Sequence, residues 1–211
     1  MIKTKAYIVK HWQKILDIYF FLNFIGWCAW QSYNAYHEGR FDYLEWSFAL
    51  QNMVFVTLIL IRSPFKAIDK NYFHQFIALF AFFSGAAFMG QARTGNENLE
   101  LISKGIIFIS NILGIITLIN IGKSFGILIS LRKVKSNGLY GIVRHPMYLT
   151  DILLRIGFVI CHYNIFTISM LVLSTACYIY RAVLEEKFLS NDISYRNYMS
   201  KVKYRFIPLI F

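Results

Sequence analysis

Charge is what this chain has least of. Only 16% of its 211 residues are charged, against about 25% in a typical soluble domain. Acids are the scarcer sign: 11 Asp and Glu stand against 22 Lys and Arg, for a net charge of +11. Cysteine is also sparse, with Cys28, Cys161 and Cys177 and no CxxC spacing. An odd number so placed excludes a disulfide framework and a cysteine metal site, and leaves three packing residues in apolar stretches. No metal is expected elsewhere. No small-residue cleavage site follows the first apolar run, so that run reads as a retained span and not a signal peptide. No inverted repeat or pair of broken helices is detectable, which speaks against a transporter.

What is abundant is apolar surface. Hydrophobic residues make up 57% of the chain and aromatics 18%. They fall in long blocks and not in amphipathic stripes, the pattern of a membrane protein. Six spans are expected, at about 15–31, 46–62, 72–92, 101–121, 147–161 and 164–183; five plus a re-entrant segment is the competitor. The fifth is short of the ~20 residues a crossing needs and would turn in a hairpin at His162–Asn164. The fold class expected is an all-α polytopic membrane helical bundle. Its first part, residues 1–121, would hold four spans that admit a substrate; its second, residues 122–211, would carry the chemistry.

The positive charge invites a nucleic-acid reading, and its distribution argues against one. Eighteen of the 22 basic residues sit in four groups: before the first span, after the second, between the fourth and fifth, and at or after the end of the sixth. The alternate loops hold Arg40, Arg93 and Lys104 against five acids. That is the positive-inside asymmetry, with both termini cytoplasmic. Residues 1–14 are basic and amphipathic and would lie along the headgroups; Trp12, Trp27 and Trp30 suit the interfaces.

The first three spans show little nameable chemistry. Ser84–Gly90 is a small-residue patch suited to close helix packing. Asn111 and Asn120 could hydrogen-bond between helices or line a passage. From Gly122 the features become dense. GKSFG at 122–126 leaves the fourth span, a basic linker follows from Arg132 to Lys135, and GLYGIVRHPMY runs from Gly138 to Tyr148. Its glycines permit a sharp turn, and Pro146 suits the first position of a helix with His145 at the cap and Arg144 beside it. The N–H groups of such a helix start favour an anion. Asp151 and Arg155 lie one turn apart and could pair or line a pocket. Arg181 and Glu185 share the same spacing, as a surface salt bridge or as a site that holds an anion and a cation together. The tyrosine-rich tail could fold back as a lid over the loop.

The ordered set GLYGIVRHPMY, then Arg181-x-x-x-Glu185-Glu186, then Tyr195-x-x-Tyr198 and YRFIP at 204–208, resembles the isoprenylcysteine carboxyl methyltransferase family and its phospholipid N-methyltransferase relatives. The resemblance covers about residues 114–208. It implies an integral-membrane methyltransferase that uses S-adenosylmethionine without a Rossmann domain, acting on a lipid-like or hydrophobic acceptor that arrives from the bilayer. The family-typical acceptor is the carboxylate of an isoprenylcysteine-like substrate. Carried over by position, Arg181 and Glu185 would fall at the reaction centre. Arg144, His145, Pro146, Tyr148, Glu186, Tyr195 and Tyr198 would hold the cofactor.

The residues are compatible with that role. The cofactor's carboxylate suits the helix start, and tyrosine faces or a glutamate suit its sulfonium. A carboxylate acceptor would need no base and would use Arg181 as its clamp; an amine acceptor would lose a proton, for which Glu185 is the candidate base. Sterol reductases with a related Arg-His-Pro loop imply NADPH instead, but Met147 and Glu185–Glu186 depart from their pattern. A small transporter or scaffold is the non-enzyme alternative.

Overall fold

The computed structural model describes residues 2–37, 39, 42–89, 91–92 and 94–210, with side chains from residue 13 onward. Among these are seven α-helices: α1 Ile2–His37, α2 Tyr43–Ile61, α3 Tyr72–Phe83, α4 Glu97–Ile121, α5 Pro146–Cys161, α6 Ile165–Leu189 and α7 Ile193–Lys201. Two dipeptide strands, β1 Ala67–Ile68 and β2 Ser130–Leu131, pair antiparallel. The molecule is an all-α bundle.

Most helix starts are marked in the sequence. Asp42, Asn71, Asn96, Asn164 and Asp192 accept from the first N–H groups of α2, α3, α4, α6 and α7, where the helical ladder offers no acceptor. α5 is the exception: His145 makes no side-chain cap bond and Pro146 opens the helix.

Three helices, α2, α4 with its 3-10 extension to Ser124, and α6, are long and apolar enough to cross a membrane. The other three expected spans take different forms. α1 is one unbroken helix from Ile2, so the backbone does not divide at Lys14 into a surface piece and a span; the side chains of residues 2–12, Trp12 among them, lie outside the described residues. α5 has 16 residues and remains short. The third stretch stays α-helical only to Phe83 and continues as a 3-10 turn over Ser84–Phe88. Its cause is Arg155, whose guanidinium donates to Ala81 O at 2.8 Å and Ser84 Oγ at 3.0 Å. The Ala81 carbonyl is the one that another α-helical turn would use. The small-residue patch therefore packs against α5 and α6 and receives an arginine from α5.

α4 and α5 make the most extensive helix–helix contact among the described residues. A Cβ at Gly157 would stand 2.7 Å from Ile107 Cγ1, and Ser103 Oγ donates to Gly157 O at 2.7 Å. Asn111 Nδ2 donates to Ser47 Oγ at 2.8 Å and ties α4 to α2. Phe20, Phe55, Leu58, Ile59, Leu118, Phe125 and Ile127 form the main apolar cluster.

The loops sort to two ends. At one end Ser63 N donates to Lys123 O (2.7 Å), Lys66 N to Leu131 O (2.7 Å) and Asp69 N to Ile129 O (3.0 Å). At the other, Thr94 N donates to Cys161 O at 2.9 Å. The basic residues of 62–70 and 123–144 thus share one end, as their sequence grouping implies.

Candidate functional site

The Gly138–Tyr148 stretch folds as a 3-10 turn, Gly138–Gly141, followed by an extended step into α5. Gly138 has φ +59°, and a Cβ there would stand 2.3 Å from Asn120 Nδ2. Only glycine meets both demands, and this is what Asn120 does in the fold.

The tail returns to the loop. Val143 bridges to Tyr204 in parallel, Arg144 N donates to Tyr204 O and His145 N to Arg205 O, each at 2.9 Å. α7 packs Tyr195, Tyr198 and Val202 against Val134, Leu189 and Met199. Tyr198 OH donates to Tyr140 O at 2.8 Å. The expected fold-back of the tail is therefore present, and it reaches the loop as backbone pairing as well as side-chain contact.

One carboxylate holds this junction. Glu186 Oε1 accepts from Arg144 Nε at 2.7 Å and lies 3.1 Å from His145 Nε2. Its Oε2 accepts from Arg205 Nε at 2.9 Å. Arg144 also donates to Val202 O (2.8 Å) and Lys203 O (2.6 Å). Helix α6, the loop and the tail thus meet at one buried acid.

Its neighbour Glu185 points elsewhere, because successive residues on a helix are ~100° apart. Arg181 Nε donates to Glu185 Oε1 at 3.2 Å, and His145 Nδ1 lies 4.0 Å from Glu185 Oε2. Arg181 is 1% exposed; its Nη1 donates to Ala78 O at 2.9 Å and its Nη2 to Ile127 O at 2.6 Å, with Cζ 4.9 Å from the Tyr148 ring centre. The His145 ring stacks on Tyr148 at 5.2 Å.

These elements enclose a cavity with about 780 Å³ of empty space, open to solvent. Arg144, His145, Tyr148, Glu185, Tyr195 and Tyr198 line it; Pro146, Arg181 and Glu186 do not. Glu185 is the one acid in the lining. The opposite wall was not read from the sequence: it is Arg132, Lys133 and Lys135, with Gly126 and Ser130. Arg132 is 7% exposed, donates to Ser63 O, and has its Nε buried without a partner. A Cβ at Gly126 would fill the space 3.3 Å from that Nε. Burial, and then the neighbouring Arg62 cation, pull the Arg132 guanidinium down to about 10. Basic charge here is short of counter-charge. On the other side, burial first of all raises the Tyr140, Tyr195 and Tyr198 phenols, so they stay neutral hydrogen-bonding groups.

Residues 101–195 match the phospholipid methyltransferase family. Every lining residue of the cavity except Tyr198 falls within that segment. The match supports a membrane methyltransferase with a lipid-type substrate, and the apolar helices make the chain an integral membrane protein. It begins before residue 114 and ends before YRFIP, so the paired tail lies outside it. No curated protein matches the chain. Among the described residues no three His, Cys, Asp or Glu lie together as a metal site.

Asp151 and Arg155 of this methyltransferase segment do not bridge directly. Tyr178 stands between them: its hydroxyl donates to Asp151 Oδ2 at 2.5 Å, and Arg155 Nη2 lies 3.4 Å from that hydroxyl. The i,i+4 spacing left pairing and pocket lining open; a residue from α6 intervenes between the two, and both line a second cavity between the helices.

Proposed function

We propose that the protein transfers a methyl group from S-adenosylmethionine to an amine or hydroxyl of a lipid-like acceptor, at the cavity beneath the folded-back tail. The observation that carries this is Glu185, an acid on the lining held in place by Arg181.

The cavity lining suits the cofactor in two respects. The Arg132, Lys133 and Lys135 wall, with its unpartnered Nε, would hold a carboxylate. Tyr148, Tyr195, Tyr198 and Glu185 would face a cation. When bound, the cofactor supplies a methyl group activated on a sulfonium.

The chain's own residues do the rest. Arg181 fixes the Glu185 carboxylate, so it can orient an acceptor N–H or O–H and take the proton released as the new bond to carbon forms and the carbon–sulfur bond breaks. Arg144, Tyr195 and Tyr198 close the tail side against water. A clamp on a carboxylate acceptor is not supported, since Arg181 is committed to two carbonyls and Glu185. Proton-losing acceptors fit better than the isoprenylcysteine-type acid.

Calorimetry on the detergent-purified chain tests the assignment. S-adenosylmethionine or S-adenosylhomocysteine should bind with a Kd of about 1–100 µM, and NADPH should not; the opposite preference would overturn it. The charge grouping supports a cytoplasmic site with both termini on that side. Ser136 and Asn98 are exposed at the two ends of the bundle. Cysteines there should label from the cytoplasm and from outside, respectively, and the reverse pattern would defeat this orientation.

A further inference from the structure

We infer that Gln13 and Asp17 of α1 are positioning residues for an anion subsite, in which the free edge of the Arg132 guanidinium takes the carboxylate of the cofactor; this rests on the methyltransferase reading above. Arg132 follows β2 directly and lines the cavity. Its Nη1 donates to Ser63 O, and its guanidinium lies over the Phe65 ring, with Cζ 5.8 Å from the ring centre. Among the described residues neither Nε nor Nη2 has a protein partner. Those two nitrogens form one edge of the planar fork, an edge that can meet both oxygens of a carboxylate. Gly126 leaves room beside it, since a Cβ there would stand 3.3 Å from Nε. A buried donor left unpaired is destabilising unless something completes it.

That edge is aimed by the loop after α2, and the loop is held from α1. Backbone bonds fix its two ends, Ser63 N to Lys123 O and Lys66 N to Leu131 O. Between them Pro64 has no N–H, and the N–H of Phe65 donates to Gln13 Oε1 at 2.9 Å. Gln13 Nε2 also donates to Ser63 O at 3.4 Å, so the amide and Arg132 converge on one carbonyl. One turn along the same face of α1, Asp17 accepts from Arg62 Nε at 2.7 Å. Arg62 is buried and repels Arg132; the Asp17 carboxylate offsets that repulsion. The amide therefore fixes where the guanidinium sits, and the acid permits two cations to sit near one another.

Arg132 lies inside the family-matched segment, whereas Gln13, Asp17, Ser63 and Phe65 all precede it. The subsite thus joins a cation of the matched segment to a support that the match does not describe. Without Gln13, Phe65 N loses its acceptor and the loop is free to shift, carrying Ser63 O and the guanidinium with it. A ligand that has no carboxylate gains nothing from the Nε–Nη2 edge. The support should therefore matter to one ligand and not to the other.

Calorimetry on the full-length protein in detergent compares S-adenosylhomocysteine with its decarboxylated analogue, in which an aminopropyl chain replaces the amino-acid end. Wild type should bind the former at least about tenfold more tightly. Gln13→Leu and Asp17→Asn should each cut the gap to about threefold or less, with affinity for the analogue within about twofold of wild type. Arg132→Leu should do the same, and adding Gln13→Leu to it should change the gap no further, because the two act through one contact. A wild-type gap below about threefold, with both ligands bound, would overturn the subsite, and that comparison needs no variant to fold. An undiminished gap in both α1 variants, or equal losses for the two ligands, would overturn the positioning role and return Gln13 and Asp17 to plain packing. Wild-type protein that binds neither ligand would instead sink the methyltransferase reading, and the subsite with it.

Discussion

Glu186→Ala is expected to release the tail from the loop and to abolish cofactor binding. The carboxylate is 4% exposed and faces Arg144, His145 and Arg205. Removing it leaves Arg144, itself 8% exposed, without its counter-ion. Breaking one side of a buried pair costs about 3–5 kcal/mol, because the surviving charge has lost both water and its partner. Arg144 would then move toward solvent, and its bonds to Val202 O and Lys203 O would go with it. The tail forms one wall of the cavity through Tyr195 and Tyr198, so S-adenosylhomocysteine affinity should fall by at least about 100-fold. Limited proteolysis should cut between α6 and residue 205 earlier than in wild type. Glu186→Gln, which keeps the shape and loses the charge, should fall between the two. A Glu186→Ala protein with wild-type cofactor affinity and an uncut tail would refute the idea that this acid holds the site together.

Glu185→Gln is expected to leave the fold and stop the reaction. Glutamine keeps an oxygen for Arg181 Nε, whereas alanine would strand a buried guanidinium and confuse loss of stability with loss of catalysis. Arg181 retains its bonds to Ala78 O and Ile127 O in either case. With no carboxylate to accept the acceptor's proton, turnover should drop by about 10²–10⁴-fold. A second readout separates a functional role from a structural one. Cationic S-adenosylmethionine should lose affinity relative to the neutral S-adenosylhomocysteine, since only the former gains from a negative neighbour. Turnover within about threefold of wild type, with both affinities unchanged, would return Glu185 to the plain salt-bridge reading.

How much of this was legible depended on whether the cue was local. The loop, its proline-started helix and the Arg181–Glu185 spacing are local features, and the structure places them as the spacing implies. The fold-back of the tail was legible because a polar, tyrosine-rich segment had nowhere to go in a bilayer. Glu186 stood with the cofactor residues by resemblance, but it is absent from the cavity lining and faces Arg144, His145 and Arg205, a turn that adjacent letters do not signal. Arg132 was invisible as a lining residue because its partner, Ser63 O, lies 69 residues away across a loop. Spacing along one helix left Asp151 and Arg155 open between an ion pair and a pocket lining, since it says nothing of the tyrosine that arrives from the next helix. The end of α3 was misread for a similar reason, since a guanidinium from α5 engages the carbonyl that the helix needed.

The pairing of residues 143–145 with 204–205 also sets an order of events during biosynthesis. Arg144 cannot find its partners until some sixty later residues have left the ribosome. Until then the cavity lacks one of its walls. The nascent helices therefore enter the lipid as an incompetent catalyst, and chemistry on neighbouring lipids waits until synthesis has passed the strand that completes the enclosure.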